Sequence, residues 1–441
     1  MVPKKVGKQM KWFTCIFVIL MLMAGCAKDQ QPKDSGEAAP AKKEVKTIHF
    51  LAHSNYEAPL KKVIEEFEKE NPDIKVEMEL APFSQLMESI EIKLGSKASD
   101  TDLIFVDSPL VVNYSVKGYL EPLDKLLESE SKKKWVKSAL DTVTYKNQIM
   151  AAPMNNSSQV LFYNKDILTE KGIPLPKEDE RLTWEEVIEK AKQLTYNDGQ
   201  QQVFGFSLDR VDTSFQFLPL AQGLGASMLS EDGLTTEGFT NSPKAMKAFT
   251  FYSDLYNKWK VSPKINQEES LDYFISGKVA MFLGLSHNLP KLVDSKLNFG
   301  VTLFPYFKDG EVATPTGSWN IGISKFSKNK KEAAKFLEYL TVGKGAETMF
   351  EVGGTLPVHI DLLDKIFKDP MYNEFPKIVI KMSAEESRTT ATPRPKTPGY
   401  LEWDTNVSKA LKEIKNGTDP EAALDETVRI IDNLLKKYKG L

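Results

Sequence analysis

Apolar and polar positions along the chain alternate between two periods. Residues 46–52 (KTIHFLA) read as a strand. Leu60, Val63, Ile64 and Phe67 then recur at helical spacing behind Pro59, a residue tolerated in a first helical turn. Asn71-Pro72-Asp73 ends that helix, residues 74–78 alternate as a second strand, and a helix is expected from about Ser84 to Gly95. Residues 103–106 (LIFV) are a short apolar run bounded by acids, as expected of a buried parallel strand. Strand, helix, strand, helix, strand implies βαβ units with right-handed crossovers.

The alternation continues downstream. Residues 160–163 (VLFY) form another apolar strand, ending at Asn164-Lys165-Asp166. Thr183 with Glu186 is a capping box that opens a helix to about Leu194. Pro243 opens another, with Met246, Phe249, Tyr252 or Ser253, and Tyr256 on one face. Residues 279–282 and 299–303 read as strands and residues 332–340 as an amphipathic helix. Residues 406–416 and 420–438 read as the two helices that close the chain. About 400 folded residues exceed one comfortable core, so two α/β lobes are expected. In open parallel sheets a ligand sits beyond the carboxyl ends of the strands, and two such ends can face one another.

The first thirty residues depart from this pattern. Lys4, Lys5, Lys8 and Lys11 precede an apolar run at 12–23, interrupted only by Thr14 and Cys15. The run is about 12 residues long, whereas a membrane-spanning helix needs ~20. Basic, apolar and small-residue segments in that order make a secretory signal peptide. Its end, Met23-Ala24-Gly25-Cys26, resembles the bacterial lipobox, with Met where Leu is more usual. Residues 1–25 are therefore expected to be removed and Cys26 to carry lipid. Residues 26–45 hold one large apolar residue, Val45, and read as a flexible tether. Lipid and tether place the folded body on the outer side of the cell membrane.

Composition narrows the chemistry. The 441 residues carry 58 Lys and Arg against 61 Asp and Glu, a net charge of −3 that becomes −7 once four lysines leave with the signal peptide. No clustered basic excess is present, so no nucleic-acid partner is expected. Of the two cysteines, Cys15 leaves and Cys26 takes lipid, which excludes a disulfide framework or a thiolate metal site. There is no G-x-S-x-G elbow, H-E-x-x-H pair or GxxxxGK[ST] loop. His49, His53, His287 and His359 are scattered without metal-ligand spacing. Glu65-Glu66, Glu185-Glu186 and Glu385-Glu386 read as solvated helix faces, although paired carboxylates also serve glycosidases. No catalytic residue, metal or cofactor is expected.

Several phrases stand in a fixed order: LKKVIEEFEKENPDIKVE, TDLIFVDSPLVVNYSVKGYLEPLD with its turn from Gly118 to Asp124, AAPMNNSSQVLFYNKDIL, TWEEVIEKAKQL, FISGKVAMFLG, LNFGVTLFPYF, GSWNIGISKFSKNKKEAAKFLEYL and TPRPKTPGY. Together they resemble the extracellular solute-binding proteins of family 1, which serve ABC transporters for sugars and oligosaccharides. The resemblance implies a two-lobed periplasmic-binding-protein fold, α/β in class, each lobe a mostly parallel sheet flanked by helices, with a ligand cleft between the lobes. It implies a first lobe at 46–152 and 305–355 and a second at 153–304 and 356–441. A sugar or oligosaccharide ligand, the permease subunits of an ABC importer as partners, a monomeric state and hinge closure follow from it. An exported glycan-hydrolysing enzyme and a sensory lipoprotein are the competing readings.

A sugar presents hydroxyls at its edge and C–H groups on its faces, so its site needs amides, carboxylates, hydroxyls and aromatic rings. By position in the family motifs, the expected ligand-binding residues include His53, Asn55 and Tyr56 after the first strand, and Asp107 and Ser108 after the third. Asn155 and Asn156 at the crossing join them, as do Trp319 and Asn320 beside Ser318. The second lobe is expected to add Phe215, Gln216, Ser286, His287 and Trp403. Arg394, between Pro393 and Pro395, either braces its loop or points into the cleft. Many relatives carry a stacking Trp after FISGKVAMFLG, where this chain reads Leu285-Ser286-His287-Asn288. Maltose is therefore not assigned. Another oligosaccharide, a monosaccharide or an acidic sugar met by Arg388 or Arg394 stays open.

Overall fold

The structure is a computed structural model that describes residues 44–440 apart from Asp198, Gln200 and Ser318. The expected signal peptide, Cys26 and the tether through residue 43 lie outside the described residues. In chain order the strands are β1 (Lys46–His53), β2 (Ile74–Ala81), β3 (Leu103–Asp107), β4 (Thr144–Tyr145), β5 (Gln148–Ile149), β6 (Ala152–Pro153), β7 (Asn155–Asn156) and β8 (Gln159–Asn164). They continue with β9 (Tyr196–Asn197), β10 (Gln202–Leu208), β11 (Val279–Leu285), β12 (Phe299–Thr302), β13 (Thr314–Pro315), β14 (Trp319–Ile323), β15 (Leu356–Pro357) and β16 (Ala391–Thr392).

Among the described residues these strands build two five-stranded sheets, ordered β2-β1-β3-β14-β6 and β12-β8-β11-β10-β9. β1 pairs in parallel with β2 and β3, as the βαβ reading requires. Most strands of each sheet run one way, and the exceptions are β14 in the first sheet and β8 and β9 in the second. β14 is antiparallel to both β3 and β6. In the second sheet β10 and β11 pair in parallel, whereas β8 opposes β11 and β12, and β9 opposes β10. The chain's path explains the difference. β8 and β14 each enter a sheet from the other one, not by a crossover within it, so each begins where the parallel strands finish. Trp319 at the start of β14 faces Asp107 at the end of β3, and Gln159 at the start of β8 faces Leu285 at the end of β11.

Burial follows the period-two alternation. In β8, Leu161 and Tyr163 join the large core, while Val160 and Phe162 join a separate cluster with Phe274, Phe282 and Phe299. Both faces of the strand are covered, which is why VLFY is apolar throughout. The capping box at Trp184–Gln193 forms: the Thr183 amide donates to Glu186 Oε2 at 2.8 Å, and the Glu186 amide donates to Thr183 Oγ1 at 3.2 Å. The helix expected at 406–416 starts earlier, at Tyr400, with Gly399 as its N-cap, and runs to Lys415.

The pair Glu385-Glu386 is not a solvated face. Glu385 is exposed and pairs with Arg388, but Glu386 is fully buried. It accepts from Arg181 (2.8 Å), the Phe304 amide (3.1 Å) and Thr314 Oγ1 (3.2 Å). Its neighbour Ser387 accepts from Asn156 Nδ2 at 2.6 Å. The helix Ile378–Thr389 therefore grips both segments that pass between the sheets. Two short pairings, β7 with β15 and β13 with β16, add further ties there.

Candidate functional site

The ends of β1 and β3 and the start of β14 meet where the chain crosses between the sheets. His53 closes β1, and its Nδ1 accepts from the Asn55 amide at 3.0 Å, which turns the chain into the short helical turn Ser54–Tyr56. The Trp319 ring lies 5.2 Å from His53 and 5.5 Å from Phe105, and the Tyr56 ring lies 5.3 Å from Phe105. Tyr56 and Trp319 are both partly exposed. Asn155 ties them: its Nδ2 donates to Tyr56 Oη (2.9 Å) and its Oδ1 accepts from the Trp319 amide (3.0 Å). An aromatic wall with a polar seam is the result.

Opposite this wall stands the loop after β16. The Arg394 guanidinium makes a bidentate pair with Asp107, Nη1 to Oδ2 at 2.9 Å and Nη2 to Oδ1. Their side chains are 10% and 13% exposed, so both charges are largely withdrawn from water. Arg394 also lies 5.4 Å over the Phe215 ring, a cation–π distance. Lys396 Nζ donates to the Asp141 carbonyl (2.6 Å) and Asn113 Nδ2 to the Pro398 carbonyl, while Gln222 Nε2 donates to the Pro393 carbonyl at 2.9 Å. Of the two alternatives for Arg394, the structure thus shows it reaching the end of β3. Ser108, Val112, Thr142, Thr316, Arg394 and Lys396 line a cavity of about 10 Å³ beside this pair, room for about one water.

Three of the expected ligand-binding residues are buried among protein partners. Asn320 is fully buried, with Nδ2 donating to the Val106 carbonyl and Ser108 Oγ, each at 3.0 Å. Gln216 is buried between Gln159 Nε2 (2.5 Å), from which it accepts, and the Leu283 carbonyl (3.2 Å), to which it donates. Trp403 is fully buried in the core, its Nε1 donating to Thr240 Oγ1 at 3.4 Å. The helix starting at Tyr400 turns that ring inward. Asn156 is also buried and committed at both ends, to Ser387 Oγ and, as acceptor, to the Ser157 amide (2.9 Å) and Thr316 Oγ1 (2.6 Å). Ser108 and Ser286 are buried, whereas Asn55 and His287 are exposed and Phe215 is half-buried.

The structure adds residues that the sequence reading passed over. β10 ends at Leu208, and Asp209 and Arg210 follow at its carboxyl end. The alternation in QVFGFSL is a strand signal that points to them. Asp209 accepts from Asn288 Nδ2 at 2.9 Å. Asp404, in the helix at 400–415, accepts from Ser214 Oγ. Burial raises the Asp404 pKa against the opposing pull of that hydrogen bond and of Arg394.

Charge and burial hold the imidazoles neutral. Desolvation lowers the His53 pKa, and the positive charge of Arg210 lowers it further. His287 is lowered by the same two causes, although Asp209 opposes them. Burial pushes the Tyr56 phenol up to about 12 despite its bond from Asn155. Arg394 is held charged: burial opposes its charge, and Asp107 more than offsets that. Among the described residues no group of three or more His, Cys, Asp or Glu side chains is placed to hold a metal ion. The site presents ring faces, amides, imidazoles and a screened ion pair.

Comparison with known proteins points the same way. The family model described as bacterial extracellular solute-binding protein matches residues 53–347. A putative binding protein of Brucella abortus (strain 2308) is 24% identical over 378 residues, covering 84% of this chain and 88% of its own length. The galactooligosaccharide-binding protein of Bacillus subtilis (strain 168) is 24% identical over 453 residues, covering 99% of this chain and 100% of its own. Among solved structures, an ABC substrate-binding protein from Listeria monocytogenes in complex with cycloalternan superposes with a TM-score of 0.78 at 23% identity, covering 89% of this chain and 100% of that one.

Proposed function

The chain belongs to the bacterial extracellular solute-binding proteins, and we propose that within this family it is a carbohydrate receptor for an ABC importer. Members of this family work outside the cytoplasm, and so does this protein. In the proposed cycle a sugar or oligosaccharide enters between the lobes, 46–152 with 305–355 and 153–304 with 356–441. The lobes close on it by hinge motion, and the closed form docks on the permease subunits. The protein acts as a monomer, held to the membrane by lipid on Cys26, and performs no covalent chemistry.

The observation that carries this reading is the group formed by Tyr56, Trp319 and Asn155 at the strand ends. Partly exposed rings complement the C–H faces of a sugar, and the amide seam complements its edge. His53, Asn55, Asp107, Phe215, His287 and Arg394 surround the ligand in this proposal. Ser108, Asn155, Asn156 and Ser286 hold the walls, and Gln216, Asn320 and Trp403 support them from beneath. The sugar ligands named for the Bacillus subtilis and Listeria monocytogenes proteins support a carbohydrate rather than another nutrient. Titration calorimetry against a panel of mono- and oligosaccharides tests it. A ligand of micromolar Kd, about −8 kcal/mol, is expected. Absence of heat and of any thermal shift across the panel overturns the proposal.

A further inference from the structure

The chain contains five arginines, and four are ion-paired: Arg181 with Glu386, Arg388 with Glu385, Arg394 with Asp107 and Arg429 with Glu426. Arg210 is different. Among the described residues its guanidinium has neither an ion pair nor a hydrogen bond, and its side chain is exposed. Its position is nevertheless built. It sits at the carboxyl end of β10, and its φ of +47° is a left-handed conformation that residues other than glycine seldom adopt. The residues on either side hold it there. Asp209 is fixed by Asn288, Thr213 Oγ1 donates to the Arg210 carbonyl at 2.8 Å, and Asp212, itself at φ +65°, is held by Lys415 (2.5 Å) and Tyr252 (2.9 Å).

The charge so presented acts on both sides of the crossing. It reaches His53 and Tyr56 at the end of β1 and His287 beyond the end of β11. No carboxylate forms an ion pair with it among the described residues: Asp107 pairs with Arg394, while Asp209 and Asp404 accept from the neutral groups of Asn288 and Ser214. Closing the lobes over a guanidinium with no direct partner withdraws it from water, which is costly unless the ligand supplies acceptors, best of all charged ones. A carboxylate or phosphate matches its donor fork, and neutral hydroxyls match it less well.

We infer that Arg210 is a specificity-determining residue that receives an anionic group on the carbohydrate, a carboxylate or a phosphate. The inference rests on the carbohydrate-receptor reading. His53 and His287, neutral beside it, supply donors and acceptors to the remaining hydroxyls. Arg394, already committed to Asp107, and Arg388, exposed and paired with Glu385, leave this role to Arg210.

Calorimetry of the purified protein with trigalacturonate, glucose 6-phosphate and the neutral sugars galactotriose and maltotriose tests this. One anionic probe is expected to bind more tightly than every neutral one, with affinity falling as sodium chloride rises. Arg210→Gln is expected to weaken that binding by about 10- to 100-fold while leaving the circular dichroism spectrum unchanged. Arg210→Lys is expected to recover part of the loss. Whether trigalacturonate or glucose 6-phosphate binds identifies the anion. Neutral sugars binding as tightly as the anionic probes, or anionic binding unaltered in Arg210→Gln, overturns the inference and leaves the receptor reading standing. No binding by any of the four overturns the inference, and the receptor reading falls only if the wider saccharide panel is silent as well.

Discussion

Glu386→Ala tests the brace between the two crossing segments. The wild-type carboxylate is fully buried and accepts from Arg181, the Phe304 amide, Thr314 Oγ1 and Thr390 Oγ1. Its removal strips all four donors of an acceptor. Arg181, 21% exposed, keeps only the Phe304 carbonyl at 2.7 Å. Breaking a buried pair by removing one partner costs about 3–5 kcal/mol, and the partial exposure of Arg181 puts this case near 3 kcal/mol. Urea unfolding followed by far-ultraviolet circular dichroism and tryptophan fluorescence measures it. A lower midpoint with an unchanged slope is the expected result. Replacing both partners, as Arg181→Met with Glu386→Leu, removes the orphaned charge and is expected to recover part of the loss, because the Phe304 amide still lacks its acceptor. A loss below about 1 kcal/mol in Glu386→Ala refutes the reasoning, because it means that water or a shifted neighbour satisfies the four donors.

Three further outcomes are expected. Trp319→Ala weakens sugar binding at least tenfold, about 1.4 kcal/mol, with an unchanged unfolding midpoint; unaltered affinity removes this ring from the site. Asp107→Asn and Arg394→Gln, combined in a double-mutant cycle of unfolding, show a coupling energy above about 1 kcal/mol, because the pair is bidentate and mostly shielded; additive effects contradict the pairing. His53 and His287 have folded-state pKa values below their ordinary 6.5, so the unfolded chain takes up protons first as pH falls. Their contribution to stability is complete above about 6.5 and is lost as pH drops through the lower folded values. Unfolding midpoints at pH 7.5 and 5.5 are expected to differ less in His53→Gln with His287→Gln than in wild type, and equal differences contradict the assignment.

How much of this was legible in the sequence depended on distance along the chain. β1, β3 and β8 could be recognised because burial writes a period of two, or an unbroken apolar run, into neighbouring residues. The Thr183–Glu186 box could be recognised because both partners lie within one helical turn. The strand β10 and the early start of the last-but-one helix were missed. Gly205 interrupts the first pattern, and Gly399 with three nearby prolines disguises the second. Site positions at strand ends, such as His53, Tyr56, Asp107 and Trp319, were placed by motif alone. Motif position does not say which way a side chain turns, so it gave no sign that Gln216, Asn320 and Trp403 are buried.

By itself, then, the sequence determined the alternation of strands and helices, the expectation of an exported body and the approximate strand ends from which a site is made. Tertiary structure decided the partners. Asp107 and Arg394 lie 287 positions apart, Asn156 and Ser387 lie 231 apart, and Glu386 lies 72 from Thr314. No local pattern encodes such pairs, because each depends on how the chain passes between the two sheets. The same passage reversed β8 and β14 against their neighbours and left Arg210 as the arginine without a counter-ion among the described residues. Local periodicity reports what must be buried; which charges meet, and which one is left over, is settled only when distant segments pack together.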